Sequence, residues 1–339
     1  MPRFKLTLAP LLLALSAYAQ PVARTAAPAS EAPPLGRGVN ILGYDPLWTD
    51  PAKARFQPNL YAVIRAGGFQ TVRVNLQAFT HMDAANHLDP RWLQTLDDVV
   101  ARATQAGLHV ILDEHDYRPC AADADNCRTR LLAFWEQVAP RFRAAPPSVL
   151  FEILNEPNGQ LTAPRWNALL AEALQVIRRT NPDRTVVVGP VGSNSYTKLG
   201  ELSLPDADRN LLVTVHYYNP YSFTHQGAAW ARPDVRAGSD IGWGTDADRL
   251  QVSREFDAMA TWAAAHRRPL FLGEFGTYDR APMPARAAWT AAVARAADAR
   301  GIPWAYWQFE GDFVAYSIPD GRWVAPIHAA LVPGSGGGP

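Results

Sequence analysis

The sequence shows no excess of charge of either sign. Its 339 residues hold 32 Lys plus Arg and 32 Asp plus Glu. That balance argues against a nucleic-acid partner or an acidic-membrane surface. Cysteine is scarce, with Cys120 and Cys127 alone. Cys127 has no nearby His pair of zinc-finger type, so no metal is expected there. Long apolar runs are also missing. The longest candidate, within residues 6–15, is too short to span a bilayer. Finally, the first strand-like run is not followed by a Gly-rich phosphate loop, which disfavours a doubly wound nucleotide-binding sheet.

At the N-terminus, Arg3 and Lys5 precede that apolar run, and Ala17, Tyr18 and Ala19 form a small-x-small site. Residues 1–19 therefore read as a secretory signal peptide cleaved after Ala19. The mature protein is expected to be secreted or periplasmic and free of the membrane. Export brings the cysteines to an oxidising compartment, where a Cys120–Cys127 disulfide is expected as a staple on one loop. Closing so short a loop contributes about 2–3 kcal/mol. Residues 20–35, rich in Ala and Pro, read as a flexible leader, and residues 333–339 as a Gly-rich tail. Residues 36–332 show no internal boundary and read as one domain, expected to be a monomer.

Within that domain, short apolar runs alternate with helical patterns. Candidate strands cover residues 38–42, 71–75, 109–113, 149–154, 185–188, 211–216, 269–273 and 303–308. They are apolar at nearly every position, as parallel strands covered on both faces must be. Leu161 and Thr162 before Pro164 give a cap and first turn, and Gly107 and Gly301 follow helices. The crossover over residues 189–210 has the weakest helix, and residues 217–245 carry a long aromatic-rich insert. Eight such units predict an α/β fold of the (β/α)8 barrel type.

The site of such a barrel lies at the C-terminal strand ends. Those ends carry Arg73 and Asn75, then Asp113, Glu114 and His115, then Asn155 and Glu156, then His216 and Tyr218, then Glu274, and last Trp307. One polar strand end is routine, whereas six around one mouth call for a site. Two carboxyls facing each other, Glu156 and Glu274, suit glycoside hydrolysis, where one protonates the leaving oxygen and the other attacks or activates water. Taken singly, either Glu also reads as an ion-pair or solvated loop residue. His115 beside two acids has a metal-cluster alternative, and Trp307 a plain packing one. His81, His87 and His109 read as surface or packing residues.

FEILNEPNG (residues 151–159) and FLGEFG (271–276) resemble the acid/base and nucleophile motifs of glycoside hydrolase family 5, the cellulase family of clan A. The resemblance runs from GRGVNILG to WAYWQFEGDF, nearly the whole mature chain. It implies that Glu156 is the general acid and then base, and that Glu274 is the nucleophile. It implies that Asn155 binds the sugar 2-hydroxyl, that Arg73 lies beside Glu274, and that Tyr218 donates to the same carboxylate. His115 and His216 would line the reacting subsite, with Trp307 stacked on the sugar. Glu114 stands where many relatives are apolar or carry Trp, which leaves its role open. In NPYSFTHQGAAW, His225, Gln226 and Trp230 would reach neighbouring sugars, and Trp48, Trp243 and Trp323 could stack outer ones. The implied activity is a retaining endo-β-1,4-glucanase without cofactor or metal, acting on a β-linked polysaccharide or oligosaccharide. Mannan, xyloglucan and mixed-linkage glucan are competing substrates, and a non-catalytic glycan-binding barrel is the different-class alternative.

Overall fold

Eight parallel strands close on themselves in chain order. They are β1 (Arg37–Ile41), β2 (Thr71–Leu76), β3 (His109–Glu114), β4 (Val149–Glu152), β5 (Val186–Val188), β6 (Leu211–Tyr217), β7 (Leu270–Phe275) and β8 (Trp304–Tyr306). The structure is a computed structural model and describes residues 1–2 and 34–334. All but the first two residues of the expected signal peptide and most of the leader lie outside the described residues, as do the last five residues of the tail.

The expected barrel is present, with small shifts at strand ends. The apolar run of β4 extends to Leu154, but the ladder stops at Glu152. Ile153 and Leu154 stay buried without pairing as strand. Helices cover the outside where the sequence supplies caps. Asp89 accepts from Arg91 N ahead of Pro90–Gln105. Thr245 and Asp248 form a reciprocal capping box ahead of Asp246–His266. Thr162 is the N-cap of Ala163–Arg178, as expected, although its side chain makes no capping bond. The crossover after β5 has no long helix. It holds one irregular turn, Val191–Asn194, and a 3-10 helix, Tyr196–Glu201.

Side-chain alternation sorts the barrel interior into layers. The lower layer is apolar and includes Ile111, Leu150, Val187, Leu212, Phe271 and Ala305. Two residues further along β3 and β4 come Asp113 and Glu152, both fully buried and both in contact with the Arg73 guanidinium. The apolar residues on the outer faces of the strands pack under the helices in the main core. The barrel is thus plugged with hydrocarbon below and with charge above, directly under the mouth.

The disulfide joins Cys120 to Cys127, seven residues apart. It is not a staple within one loop. Cys120 lies in the helix Tyr117–Ala122 and Cys127 in the helix Ala124–Arg141, so the bridge ties two consecutive helices across a one-residue break.

Candidate active site

Arg73 sits at the centre of the mouth, fully buried on β2. Its Nη1 donates to Glu274 Oε1 at 2.8 Å and to Asn40 Oδ1 at 2.9 Å. Its Nε and Nη2 donate to Glu152 at 2.7 and 2.8 Å, and Nη2 also reaches Asn155 Oδ1 at 2.9 Å. Asp113 lies 3.1 Å from the same Nη2. One guanidinium therefore faces three carboxylates, which is what keeps so much charge tolerable inside a barrel. Because Asn155 gives its oxygen to Arg73, its Nδ2–H is the end left to donate toward the cleft.

Glu274 owes its aim to a bulge. Val215 pairs with Leu272, but the next pair is His216 with Glu274, so Gly273 is the extra residue. That slip turns the Glu274 side chain into the mouth. Only glycine fits there, since a Cβ on Gly273 would lie 2.5 Å from Thr214 Oγ1. The Tyr218 hydroxyl donates to Glu274 Oε2 at 2.9 Å. Burial first, and the neighbouring carboxylates second, keep the Tyr218 phenol protonated well above its ordinary range.

Glu156 stands opposite, just past the end of β4, with a left-handed φ of 44°. Backbone strain of this kind gathers at functional positions. Burial pushes its carboxyl up to about 7, with His115 and Arg73 opposing. His216 Nδ1 lies 2.8 Å from Glu156 Oε1 and 3.5 Å from Glu274 Oε2. Burial holds its imidazole down at about 4, so it is neutral near neutral pH. Carboxyl oxygens of Glu156 and Glu274, with His216 Nδ1, all lie within 4.8 Å of one another. Three such atoms are close enough for a metal ion. Arg73 already pairs with Glu274, however, and its positive charge disfavours a cation beside it.

His115 stacks on Trp307 with ring planes 7° apart and bonds Asp113 through Nδ1 at 2.5 Å. Burial alone would lower its pKa, but Asp113 outweighs that and raises it. Trp307 faces the cleft rather than the core. Glu114 points away from the mouth and is fully buried. Burial, with Asp116 beside it, drives its carboxyl well above the usual range, so it is a neutral acid.

The cleft around these groups has a volume of about 900 Å³. His115, Asn155, Glu156, His216, Tyr218, Glu274 and Trp307 all line it. Half-exposed Trp230 and buried His225 line it too, from the insert after β6. Gln226 does not reach it. Its amide bonds Phe223 O and Ile241 O and accepts from Ile241 N, so its polar atoms are used in folding the insert. Trp48, Trp243 and Trp323 are also off the cleft. Trp48 packs on Trp92, Trp243 lies under Arg249, and Trp323 stacks on Phe69 and His328. His81 stacks on Trp92, and exposed His87 pairs with Asp83, as surface or packing residues should.

Several residues of the site are not evident from the motifs. Asn40, Glu152 and Asn194 are buried polar groups that touch Arg73 or His216. Asn40 and Glu152 announce themselves only as polar positions in otherwise apolar strands. Asn194 sits in a run of left-handed residues, Gly192, Ser193 and Asn194, which no strand or helix pattern marks.

A closed eight-stranded barrel with two carboxyls opposed across its C-terminal mouth is the architecture of a glycosidase. The chain matches the cellulase family, glycosyl hydrolase family 5, over residues 33–312, and it belongs to that family. A solved endoglucanase is similar at 32% identity and a TM-score of 0.84, covering 88% of this chain and 97% of the other. Thermotoga maritima Cel5A, solved with cellobiose, is similar at 34% identity and a TM-score of 0.83, with 88% and 97% covered. Endoglucanase H of Acetivibrio thermocellus is 30% identical over 80% of this chain and 29% of its own length. The chain spans from 29% to 54% of the length of the first three curated relatives it matches.

Proposed function

We propose that the protein is a retaining endo-β-1,4-glycanase whose preferred substrate is β-1,4-glucan. The observation that carries this reading is the approach of Glu156 and Glu274 oxygens to within 4.8 Å. Retaining enzymes hold their carboxyls about 5–5.5 Å apart, whereas inverting ones leave about 6.5–9.5 Å for a water.

In this reading Glu274 attacks the anomeric carbon while Glu156 protonates the departing glycosidic oxygen. The bond to the leaving sugar breaks, and a glycosyl ester forms on Glu274. Glu156, now ionised, takes a proton from water. The water oxygen attacks the same carbon, and the Glu274 carboxylate is released. The protonation states required at the start fit the surroundings. Glu156 is partly buried and raised to about 7, while Glu274 accepts two hydrogen bonds suited to its charged form. Asn155 Nδ2 lies 3.3 Å from His115 Nε2 and keeps a second N–H to donate to the sugar 2-hydroxyl, and Trp307 offers a ring face to the sugar.

The names of the relatives support a glucan substrate. One solved neighbour, Thermotoga maritima Cel5A, is described in complex with mannotriose as well as cellobiose, so β-mannan is the second reading. Reducing-end assays on β-glucan, mannan and xyloglucan separate the two. The reading predicts release from β-glucan that survives chelation by EDTA and is lost in Glu156→Gln. Unchanged hydrolysis by that variant would remove Glu156 from the mechanism. Binding of glucan without any release would favour the glycan-binding alternative.

We also infer export, supported by the signal-like N-terminus and by the Cys120–Cys127 bridge, which suits an oxidising compartment. N-terminal sequencing of the mature protein should begin at Gln20.

A further inference from the structure

The layer beneath the catalytic carboxyls contains a group that the mechanism above does not use. Glu152 ends β4 and shares its inward-facing side with Leu150, two residues before it. Its side chain is fully buried, and both of its oxygens are taken by Arg73, Oε2 by Nε at 2.7 Å and Oε1 by Nη2 at 2.8 Å. Among the described residues no other group donates to it. That fork-to-fork contact fixes the plane of the guanidinium. With the plane fixed, the remaining donor, Nη1, is directed at Glu274 Oε1, 2.8 Å away.

We propose that Glu152 is a positioning residue for the nucleophile, holding Arg73 in the plane that aims Nη1 at Glu274 and sharing its positive charge through the reaction cycle. The proposal rests on the reading of Glu274 as nucleophile. Three carboxylates share Arg73, and Asp113 has His115 as a second partner. Glu152 has no second partner, so it competes directly with Glu274 for the guanidinium. That competition leaves the Glu274 carboxylate less neutralised, and so more nucleophilic, before attack. Once Glu274 is esterified its charge is gone, and Glu152 remains to pair with Arg73 inside the barrel. Burial raises the Glu152 carboxyl, with Arg73 opposing, which accords with a group whose ionisation follows the charge state of its partners.

Removing the Glu152 charge should therefore slow the first half-reaction without slowing the second. In Glu152→Gln the amide oxygen still accepts from Arg73 and keeps its plane, but the competing charge is gone, so Arg73 neutralises Glu274 more fully. Glu274 becomes a poorer nucleophile and a better leaving group. The probe is 2,4-dinitrophenyl 2-deoxy-2-fluoro-β-cellobioside, which labels the nucleophile in one step and releases it slowly in the next. For Glu152→Gln the expected result is labelling slowed about 10-fold or more, the scale of one charge-assisted hydrogen bond. Release of the label should be unchanged or faster. A side chain that matters only for packing would slow both steps together. Equal slowing of both steps, or no change in either, overturns the proposal. If Glu152→Gln does not fold, as a circular dichroism spectrum would reveal, Glu152→Asp keeps the charge and withdraws it by one methylene. It should still slow labelling more than release, and equal effects there overturn the proposal too. A wild-type enzyme that carries no label on Glu274 would instead refute the nucleophile assignment, so the two failures are distinguishable.

Discussion

His216 Nδ1 lies 2.8 Å from Glu156 Oε1, and the two groups titrate in reversed order from their usual one. Burial holds the imidazole at about 4 and lifts the carboxyl to about 7. The proton shared by the pair therefore belongs to the carboxyl across the intervening range. That is the arrangement a general acid needs, since its histidine neighbour takes the proton only in acid.

The first prediction concerns pH. A carboxyl raised to about 7 is protonated below that value and loses its proton as pH rises through it. Activity that needs Glu156 as an acid should hold on the acid side of this value and fall on the alkaline side with the slope of a single ionisation. A kcat/KM profile on soluble β-glucan checks this, and a profile flat through that region contradicts the assignment.

A second prediction isolates the Tyr218 hydrogen bond to Glu274, 2.9 Å long. Tyr218→Phe removes a charge-assisted bond while keeping the ring against His225 and Phe313. The expected loss in kcat/KM is about 10- to 100-fold, with little change in Tm. Wild-type kinetics would show that the bond does not orient the carboxylate.

Glu114 gives a prediction about stability rather than rate. Burial and Asp116 raise its carboxyl well above the ordinary value, so the folded state holds a proton that the unfolded chain gives up. The sign follows from linkage. Stability is complete below the unfolded value and declines as pH rises toward the folded one. Glu114→Gln has no proton to lose and can still accept from Asp116 N as Glu114 Oε1 does. Its Tm should match that of the wild type in mild acid and exceed it increasingly at alkaline pH. A Tm difference independent of pH would contradict the neutral state of Glu114.

The disulfide supplies a fourth prediction. Joining Cys120 to Cys127 closes a short loop across two helix ends. Replacing both with Ser should cost about 2–3 kcal/mol, seen as a lower midpoint in urea. Activity at low temperature should persist, because neither sulfur faces the cleft. An unchanged midpoint would mean that the helix contacts alone set the geometry.

Much of the fold is legible because β1 to β8 fall in largely apolar runs, and buried parallel strands have little choice in composition. The opposed carboxyls are legible because Glu156 and Glu274 stand where such runs end. Glu152 is hidden by the same logic, since a single acid among Val149, Leu150 and Phe151 reads as noise in a strand rather than as the partner of Arg73. Gln226 misleads in the opposite sense. It lies in an insert that does reach the cleft, but satisfying the insert's own backbone uses its amide. Trp48, Trp243 and Trp323 mislead because an indole packs as readily as it stacks, and spacing along the chain does not say which face it meets. Asn194 depends on three successive left-handed residues, a backbone state written in no periodic pattern.

The central claim is that Glu156 and Glu274, with oxygens within 4.8 Å, carry out a double displacement. The direct measurement is proton NMR of the anomeric signals during the first minutes of hydrolysis of a cello-oligosaccharide. Double displacement predicts that the β-anomer of the new reducing end appears first and then mutarotates. Initial release of the α-anomer would mean inversion, and would contradict the account of Glu274 as a nucleophile.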